Sequence, residues 1–567
     1  MSKINASFAK MRRMYLSSAV GLFSAIAIAA HAQSYEQRLR ADLAFLTSTP
    51  LAGRLSLTPQ ADIAALYIAA EFQKAGLRPA YGDTFLQQFP LVAYRSDAAA
   101  RRLAVTHDGH TTQFQGGADF SGSFYREAHV EAPLAFVGYG ITAPEYHYDD
   151  YADIDVKGSI VVMFDHEPQE DDPNSVFAGT GQTVHWGRVP KMRNAQRHGA
   201  LAVLIAAEPL RKHGALVGTA ARGPVQNGQP LRASAPPQSL DDPTQIPVFS
   251  IGDATLAELL AASGRSSADL QRAIEAKLQP QSRKLADTTV RLDTANAAER
   301  RGTSLNVVGV LEGSDPALAS DTVMLTAHYD HLGVVNGHLY PGANDNASGT
   351  AAVIELARRM AAGPRPKRTV MFAVFGSEEE LMLGSFYYAM HPLRPLNRTR
   401  AVLNLDMIGR NEAHIPQSPW QGGIAPLAQQ PARINWELRS SDFPESQGAI
   451  EIAADTSNNI NLVGGGYSPD LVASIRHANR SIGLNLETKF DRDHVLNTLY
   501  RCDHLPFLLA GVPAVWLFGG FHPGYHEPSD TMDLLNYPKI LKVIELAQRA
   551  ASELADGTAP PRFSPAH

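Results

Sequence analysis

His328, Asp330, Asp345, Glu378, Glu379, Asp406 and His526 are the residues of this sequence whose types and spacing can do chemistry. Imidazole nitrogen combined with hard carboxylate oxygen suits zinc or a similar divalent cation, and no thiolate stands among them. His328-Tyr329-Asp330 is an H-x-D unit, in which one imidazole nitrogen can take a metal while a carboxylate orients the other. Such a tripeptide is also common in ordinary structure. Asp345, between Asn344 and Asn346 in a Gly-flanked turn, reads equally well as the cap of a helix over 351–360. The Glu378-Glu379 pair shifts the balance, because adjacent like charges at the end of a buried apolar strand are costly unless something positive is near. One such carboxylate can bind a metal while its neighbour faces the water that the metal activates. Asp406 in NLDMIGR ends another apolar run, where a solvated turn is the plain alternative, and His526 in GYHEPSDT follows an otherwise dry strand, with His522 as a competitor.

These residues need elements that bring them together. Five segments share one layout: VMLTAHYDHLG (323–333), PGANDNASGT (341–350), VMFAVFGSEEE (370–380), AVLNLDMIGR (401–410) and AVWLFGGFHPGYHEPSD (514–530). In four of them an apolar run of strand length leads into His, Glu or Asp. Buried parallel strands read as continuous apolar runs, and open α/β sheets bind ligands beyond their strand carboxyl ends. The pattern predicts an α/β fold with a mixed, mostly parallel central sheet flanked by helices, its polar strand ends converging on one site.

Ahead of this body, 35–77 has a helical pattern, with Ile63, Leu66, Tyr67, Ala70 and Phe72 near a 3.6 period and Gly76 stopping the helix after Lys74. From about Pro133 the texture becomes β-rich, with LAFVGYGI (134–141), SIVVMF (159–164), a helix at 191–196, LAVLIAA (201–207) and IPVFSIG (246–252). The polar, Gly/Pro-rich stretch 213–245 between them reads as a long surface loop. The expected organisation is therefore 1–32 as a leader, 33–130 as the first part of the main domain, 131–290 as an inserted β-rich domain, 291–558 as the body and 559–567 as a disordered Pro-rich tail.

With 567 residues, 44% of them hydrophobic, the chain is too long for one ordinary domain and too apolar for a disordered one. Its formal net charge of −7 disfavours binding to a nucleic-acid backbone, which relies on Lys and Arg. Cys502 is the single cysteine, which excludes an intramolecular disulfide and a cysteine-based zinc or iron–sulfur site. At the N-terminus, Lys10, Arg12 and Arg13 precede an apolar run over 16–30 and then Ala30-His31-Ala32. This is the layout of a cleavable secretory signal, and the run falls short of the roughly 20 residues of a membrane span. A periplasmic or secreted protein is expected, without a membrane anchor after cleavage.

GANDNASG, FGSEEE followed by GS, NLDMIGR and YHEPSDT, in this order, resemble the M28 class of di-zinc peptidases. LAGR (51–54) resembles the N-terminal signature of that family, and FVGYGI, DDY and DVKG with IPVFSI resemble its inserted protease-associated (PA) domain. The resemblance implies a zinc-peptidase phosphorylase/hydrolase-like fold and two Zn2+ per chain. It implies that His328, Asp345 and Asp406 hold one metal, that Glu379 and His526 hold the other, and that Asp345 bridges them. Glu378 then matches the general base, Tyr525 a tyrosine that stabilises the tetrahedral intermediate, and Asp330 a carboxylate behind the ligands. Two departures stand out: Glu380 is a third consecutive acid, which leaves the register of the pair open, and Leu381 occupies a position where Gly is usual. Cys502 stands where Ser is common and reads as a small buried residue.

The implied activity is that of a secreted aminopeptidase that hydrolyses N-terminal residues from peptides, with a zinc-activated water and a glutamate base. Three alternatives share the scaffold. A carboxypeptidase needs a cationic clamp for the substrate carboxylate, for which Arg410 is near in sequence. A glutaminyl cyclase works with one zinc, against which the five-ligand set counts. A non-catalytic binding protein is expected to have lost ligands, and none is missing.

Overall fold

The computed structural model describes residues 35–170, 172–179, 181–210, 217, 225–226, 229–230, 238–413, 452–492 and 498–564. The N-terminal basic and apolar segment and most of the 213–245 stretch lie outside them. Its larger sheet has ten strands, built around β1 (Asn296–Leu311), β2 (Thr322–His328), β3 (Thr369–Phe375), β4 (Thr399–Asp406) and β5 (Ala514–Phe518). The order across its middle is β1-β3-β2-β4-β5. The four strands β3, β2, β4 and β5 are mutually parallel, whereas β1 on one side and Asn459–Val463 on the other run antiparallel. Every residue of β2 and β3 is buried, as continuous apolar runs between two covered faces require.

Side chains alternate across this sheet. Val323 and Leu325 of β2 join a core with helices α1 (Pro59–Lys74), α2 (Gly349–Ala362) and α3 (Tyr537–Asp556), while Met324 faces a second cluster with Met371, Phe375 and Phe507. α1 is capped by Thr58, whose side chain accepts from the Ala61 N–H, and its last residue is Lys74, before Gly76 at φ +82. Its apolar stripe differs from the one expected. Ile63 and Leu66 are 47% and 55% exposed, and the buried apolar face is Ala61, Ala64, Ala65, Ile68 and Phe72, whose three alanines let the helix lie close to the sheet.

A second, eight-stranded sheet has its own core, which includes Leu134, Phe136, Val162, Phe164, Leu204, Phe249 and Leu292. The division between the sheets departs from the expected boundary at 131. Arg102–His107, His110–Phe114 and Phe120–Ser121 all belong to the second sheet, as does Arg283–Thr294. The first two of these form an edge hairpin through Asp108-Gly109, both left-handed at φ 47 and φ 77. An edge hairpin covered on one side lacks the long apolar run that marks a buried strand. In turn Gln238–Leu240, from within the inserted range, pairs with Leu86–Ser96 in the larger sheet.

The two sheets are joined by more than covalent crossovers. The Val184 N–H donates to Tyr467 Oη at 2.8 Å, the Gly187 N–H to Tyr500 Oη at 3.2 Å, and the Arg193 guanidinium lies 4.3 Å from the centre of the Phe386 ring. The C-terminal tail is docked through residue 564, contrary to the expected disorder: Phe563 stacks on Tyr467 at 5.5 Å, and the Ser564 N–H donates to the Tyr467 carbonyl. One aromatic partner outweighs the Pro-rich composition. Among the described residues no helix is long and apolar enough to cross a membrane.

Candidate metal centre

β2 and β3 are in register at His328 and Phe375, and β4 and β5 at Asp406 and Phe518, so four carboxyl ends lie along one sheet edge. His328 is the last residue of β2 and Asp406 the last of β4, Glu378 and Glu379 follow the turn after β3, and His526 sits on the loop after β5. Asp345 comes from the irregular turn Ala343–Ser348 that leads into α2. It is thus part of the helix entry, yet its side chain points across to the imidazoles.

Two nests of ligand atoms share Asp345. In the first, His328 Nε2 is 3.4 Å from Asp345 Oδ1 and 3.4 Å from Asp406 Oδ1. In the second, His526 Nε2 is 3.1 Å from Asp345 Oδ2 and 3.2 Å from Glu379 Oε2. Bonds of 2.0–2.1 Å to one tetrahedral ion put its ligand atoms about 3.4 Å apart. Both nests approach that spacing. His328 Nε2 and Asp406 Oδ1 are buried and have no hydrogen-bond partner among the described residues, an expensive arrangement unless a cation lies between them. The residues therefore fit a pair of divalent ions.

The electrostatics agree. Burial raises the Asp406 carboxyl, and His328 only partly offsets this. Burial also holds Glu378 well above the usual carboxylate range, with His328 opposing and Asp503, Glu379 and Asp406 adding to it. Burial works the same way on Glu379, but His526 and His331 more than reverse it. For His526, burial is overcome by Glu379 and Asp345, which lift the imidazole to about 9. A crowd of buried carboxylates is asking for positive charge, as protons or as metal.

Asp330 stands close to His328, its Oδ1 3.7 Å from His328 Nδ1, too far for a hydrogen bond. Its carboxylate instead accepts the backbone N–H groups of Glu378 at 3.0 Å and Glu379 at 3.3 Å. Glu380 points away, within 3.4 Å of the Gln238 backbone N–H, and Leu381 is 71% exposed at φ +67. Tyr525 stacks on the His526 ring with centroids 3.9 Å apart. His522, the competing histidine, is turned to Asn344, with its Nε2 2.8 Å from the amide nitrogen.

Several supports escape a reading of the sequence. His331, three residues after His328, places Nδ1 2.7 Å from Glu379 Oε1, so two imidazoles bracket that carboxylate. The HYDH spelling was the available signal. Cys502 donates its thiol to Asp406 Oδ2 at 2.9 Å and accepts from the Asn404 amide at 2.9 Å. Asp530 accepts the Asn344 and Asp345 N–H groups at 2.9 and 3.0 Å, which fixes the Asp345 turn. From the LAGR segment, buried Arg54 donates to the carbonyls of Tyr329, Pro341 and Gly342 at 2.7, 2.8 and 3.0 Å. It ties the loops of Asp330 and Asp345 together, and burial lowers its pKa only to about 10 because Asp330, Asp345, Asp530 and Glu379 favour its charge. Gly53 beside it, at φ +71, has no room for a Cβ, which would lie 2.5 Å from the Gly333 and Tyr340 carbonyl oxygens.

Residues 306–551 match the model of peptidase family M28, and residues 130–259 that of the PA domain. Among curated proteins, the chain is 27% identical over 258 residues to the aminopeptidase YwaD of Bacillus subtilis, covering 44% of this chain and 45% of that one. It is 30% identical over 214 residues to a probable zinc metalloprotease of Pyrenophora teres, covering 37% and 41%. The chain thus spans less than half the length of these curated relatives. Among solved structures, an aminopeptidase from Aneurinibacillus sp. strain AM-1 aligns over 94% of this chain and 95% of its own, at 21% identity and a TM-score of 0.42. The sheet edge with its two nests lies within the residues that match peptidase family M28, and the match to the PA domain precedes them.

Proposed function

We propose that this chain is a zinc metallo-aminopeptidase that acts outside the cytoplasm and removes N-terminal residues from peptides. The observation that carries the reading is the Asp345 carboxylate, whose two oxygens face separate imidazoles, His328 at 3.4 Å and His526 at 3.1 Å. His328, Asp345 and Asp406 would hold one zinc ion, and Asp345, Glu379 and His526 the other. Each set has three protein ligands, the pattern of a catalytic site with an open position. When bound, such ions supply a Lewis acid for the carbonyl oxygen and a water acidified to a pKa of about 7.

The chain's own groups do the rest. Glu378 lies beside the first nest, its Oε2 3.7 Å from His328 Nε2, and is not itself a ligand. It takes the proton of the attacking water and passes it to the leaving amine. Tyr525 donates its hydroxyl to the oxygen that becomes negative as the carbonyl turns tetrahedral. Asp330 and His331 hold Glu378 and Glu379 in register for these roles. A free α-amine, positively charged, suits a site so rich in carboxylates. Arg410, the clamp a carboxypeptidase needs, lies beside Gly524 with its Nη1 4.0 Å from Asp530 Oδ1 and without a hydrogen-bond partner among the described residues, so the choice between the two chain ends falls to the test below. The basic and apolar N-terminal layout with Ala30-His31-Ala32 supports export.

One peptide in three forms tests the reading: free at both ends, N-acetylated, and C-amidated. Hydrolysis is expected to vanish on acetylation and survive amidation. The opposite pattern would make the protein a carboxypeptidase.

A further inference from the structure

Residues 183–189 lie within the match to the PA domain and meet the residues that match the peptidase family at two tyrosine hydroxyls. The Val184 N–H donates to Tyr467 Oη at 2.8 Å and the Gly187 N–H to Tyr500 Oη at 3.2 Å, while the Tyr500 hydroxyl donates to the Thr183 carbonyl. One phenol oxygen thus closes the 183–187 turn as acceptor and as donor. The Trp186 ring lies 5.5 Å from that of Tyr500, and a Cβ at Gly187 would stand 2.5 Å from Tyr500 Cε1. Val189 and Tyr500 both pack on the buried cluster of Met382, Phe386 and Leu505.

The plain reading is a joint that only fastens the two domains. A joint of that kind can close on any exposed loops, whereas this one closes on two segments that lead into the metal nests. Tyr500 ends the short helix Thr498–Tyr500, and two residues on, the Cys502 thiol donates to Asp406 Oδ2 at 2.9 Å. Cys502 is fully buried and also accepts from the Asn404 amide, so a shift of the backbone at Tyr500 is passed to Asp406 through close-packed atoms.

Met382 belongs to the second segment. Its N–H donates to the Glu378 carbonyl at 2.7 Å, and the Leu383 N–H donates to the Ser377 carbonyl at 2.9 Å, which closes the turn that carries Glu378 and Glu379. Ser377, Leu381 and Met382 are left-handed there, at φ 61, 67 and 59, in a region that residues other than glycine keep only where their surroundings hold them. Leu381 is 71% exposed and adds little packing, whereas Met382 is buried in the cluster that Val189 and Tyr500 complete.

Resting on the reading of the two nests as a zinc peptidase centre, we propose that segment 183–189 is a working part of that centre and that Tyr500 is the positioning residue between them. Docking of the segment on Tyr500 sets the placement of Asp406 through Cys502 and that of the Glu378 turn through the Met382 cluster. The coupling runs through contiguous packed and hydrogen-bonded groups.

A double-mutant cycle on the full, zinc-loaded chain tests this, read by kcat, KM and zinc affinity in competition with a chelator. Gly187→Ala drives a methyl group into the Tyr500 ring. It is expected to lower kcat about tenfold, the low end of the loss when a group behind a metal site is disturbed, and to weaken zinc binding. KM for the peptide with both ends free should stay near that of the wild type. In a Tyr500→Ala chain, which no longer carries the ring, adding Gly187→Ala is expected to change kcat and zinc affinity no further. Wild-type kcat and zinc affinity in Gly187→Ala would overturn the proposal, and so would effects of the two substitutions that simply add. Should either alanine variant fail to fold, Tyr500→Phe decides, because it keeps the ring and loses only the hydroxyl: weaker zinc binding and a lowered kcat at unchanged KM support the coupling, and wild-type values refute it. A wild type that hydrolyses none of the three peptide forms would end the peptidase reading, while the zinc affinities of the cycle still decide the coupling.

Discussion

The Asp330 carboxylate accepts the backbone N–H of Glu378 at 3.0 Å, and with its other oxygen it reaches the next N–H, that of Glu379. It therefore acts on the turn that carries the base and a ligand, more than on the imidazole of its own H-x-D unit. Asp330→Asn keeps the shape but replaces one acceptor with an NH2 that opposes a backbone donor. The expected result is a fall in kcat of about 10–100-fold, the range seen when a group behind a metal site is lost. Zinc content should stay near that of the wild type. Loss of all zinc in this variant would mean that Asp330 is needed for binding and not only for alignment.

Asp345 and His526 should differ in how much metal they control. Asp345 offers one oxygen to each nest, whereas His526 reaches only the second, at 3.1 Å. Elemental analysis of Asp345→Ala is expected to find the peptidase centre empty, and His526→Ala to keep one of its two ions. A wild-type centre that holds one ion, with Asp345→Ala no worse than His526→Ala, would argue against a shared carboxylate.

Three consecutive acids make the register of the next test specific. Glu379 faces His526 at 3.2 Å, Glu378 faces His328 at 3.7 Å, and Glu380 lies by the Gln238 backbone. Glu378→Gln should keep its zinc and lose about 10²–10⁴-fold in kcat, as expected for a base. Glu379→Gln should lose zinc together with activity, and Glu380→Gln should change neither by much. Zinc loss that tracked Glu380 would shift the register by one.

How far the sequence could show this site follows from which contacts are local. Four apolar runs ending in polar residues foretold a parallel sheet with a reactive edge, because burial on both faces and the strand ends are written within single segments. Asp345 was ambiguous for the same reason, since a helix entry and a ligand look alike in one segment. Arg54 and Cys502 could not be read this way. Their partners, the Tyr329 carbonyl and Asp406, lie 275 and 96 residues away. The hairpin at 102–114 is not legible because edge strands carry polar residues on their exposed side, and the docked Phe563 is not because its partner, Tyr467, is far along the chain.

Cys502 offers a separable test of such a distant support. Its thiol donates to Asp406 Oδ2 while Asp406 Oδ1 faces His328, so the thiol orients the ligand without touching the nest. Burial and the nearby acids Asp406, Glu378 and Asp503 hold the thiol well above its ordinary pKa, so it remains protonated and unreactive as a nucleophile. Cys502→Ser retains a donor and should be near wild type, whereas Cys502→Ala should bind zinc about 10–100-fold more weakly. Competition with a chelator of known affinity reads the difference. Equal losses in both variants would assign the effect to packing and not to the hydrogen bond.

Asp150 in the second sheet gives a pH dependence that the peptidase centre does not enter. Its carboxylate is buried under the Gly138 turn and accepts the N–H groups of Tyr139 and Ile141 at 3.0 and 3.1 Å and the Tyr148 hydroxyl at 2.8 Å. Gly138 is required there, since a Cβ would stand 2.2 Å from Asp150 Oδ1. Burial pushes the carboxyl from 3.8 up to about 7, against the pull of the Ile141 N–H, the Tyr148 hydroxyl and the Lys191 ammonium. The folded state thus holds this proton more tightly than the unfolded chain. The stability it contributes is complete below about pH 4 and is lost as pH rises through about 7, a span worth at most about 4 kcal/mol. Asp150→Asn cannot ionise, and the Tyr148 hydroxyl can turn to accept from the new amide. The variant should therefore gain on the wild type as pH rises, with a Tm difference more favourable to it at pH 8 than at pH 4.5. A difference that stays constant across that range would mean that Asp150 is already ionised in the folded protein throughout it.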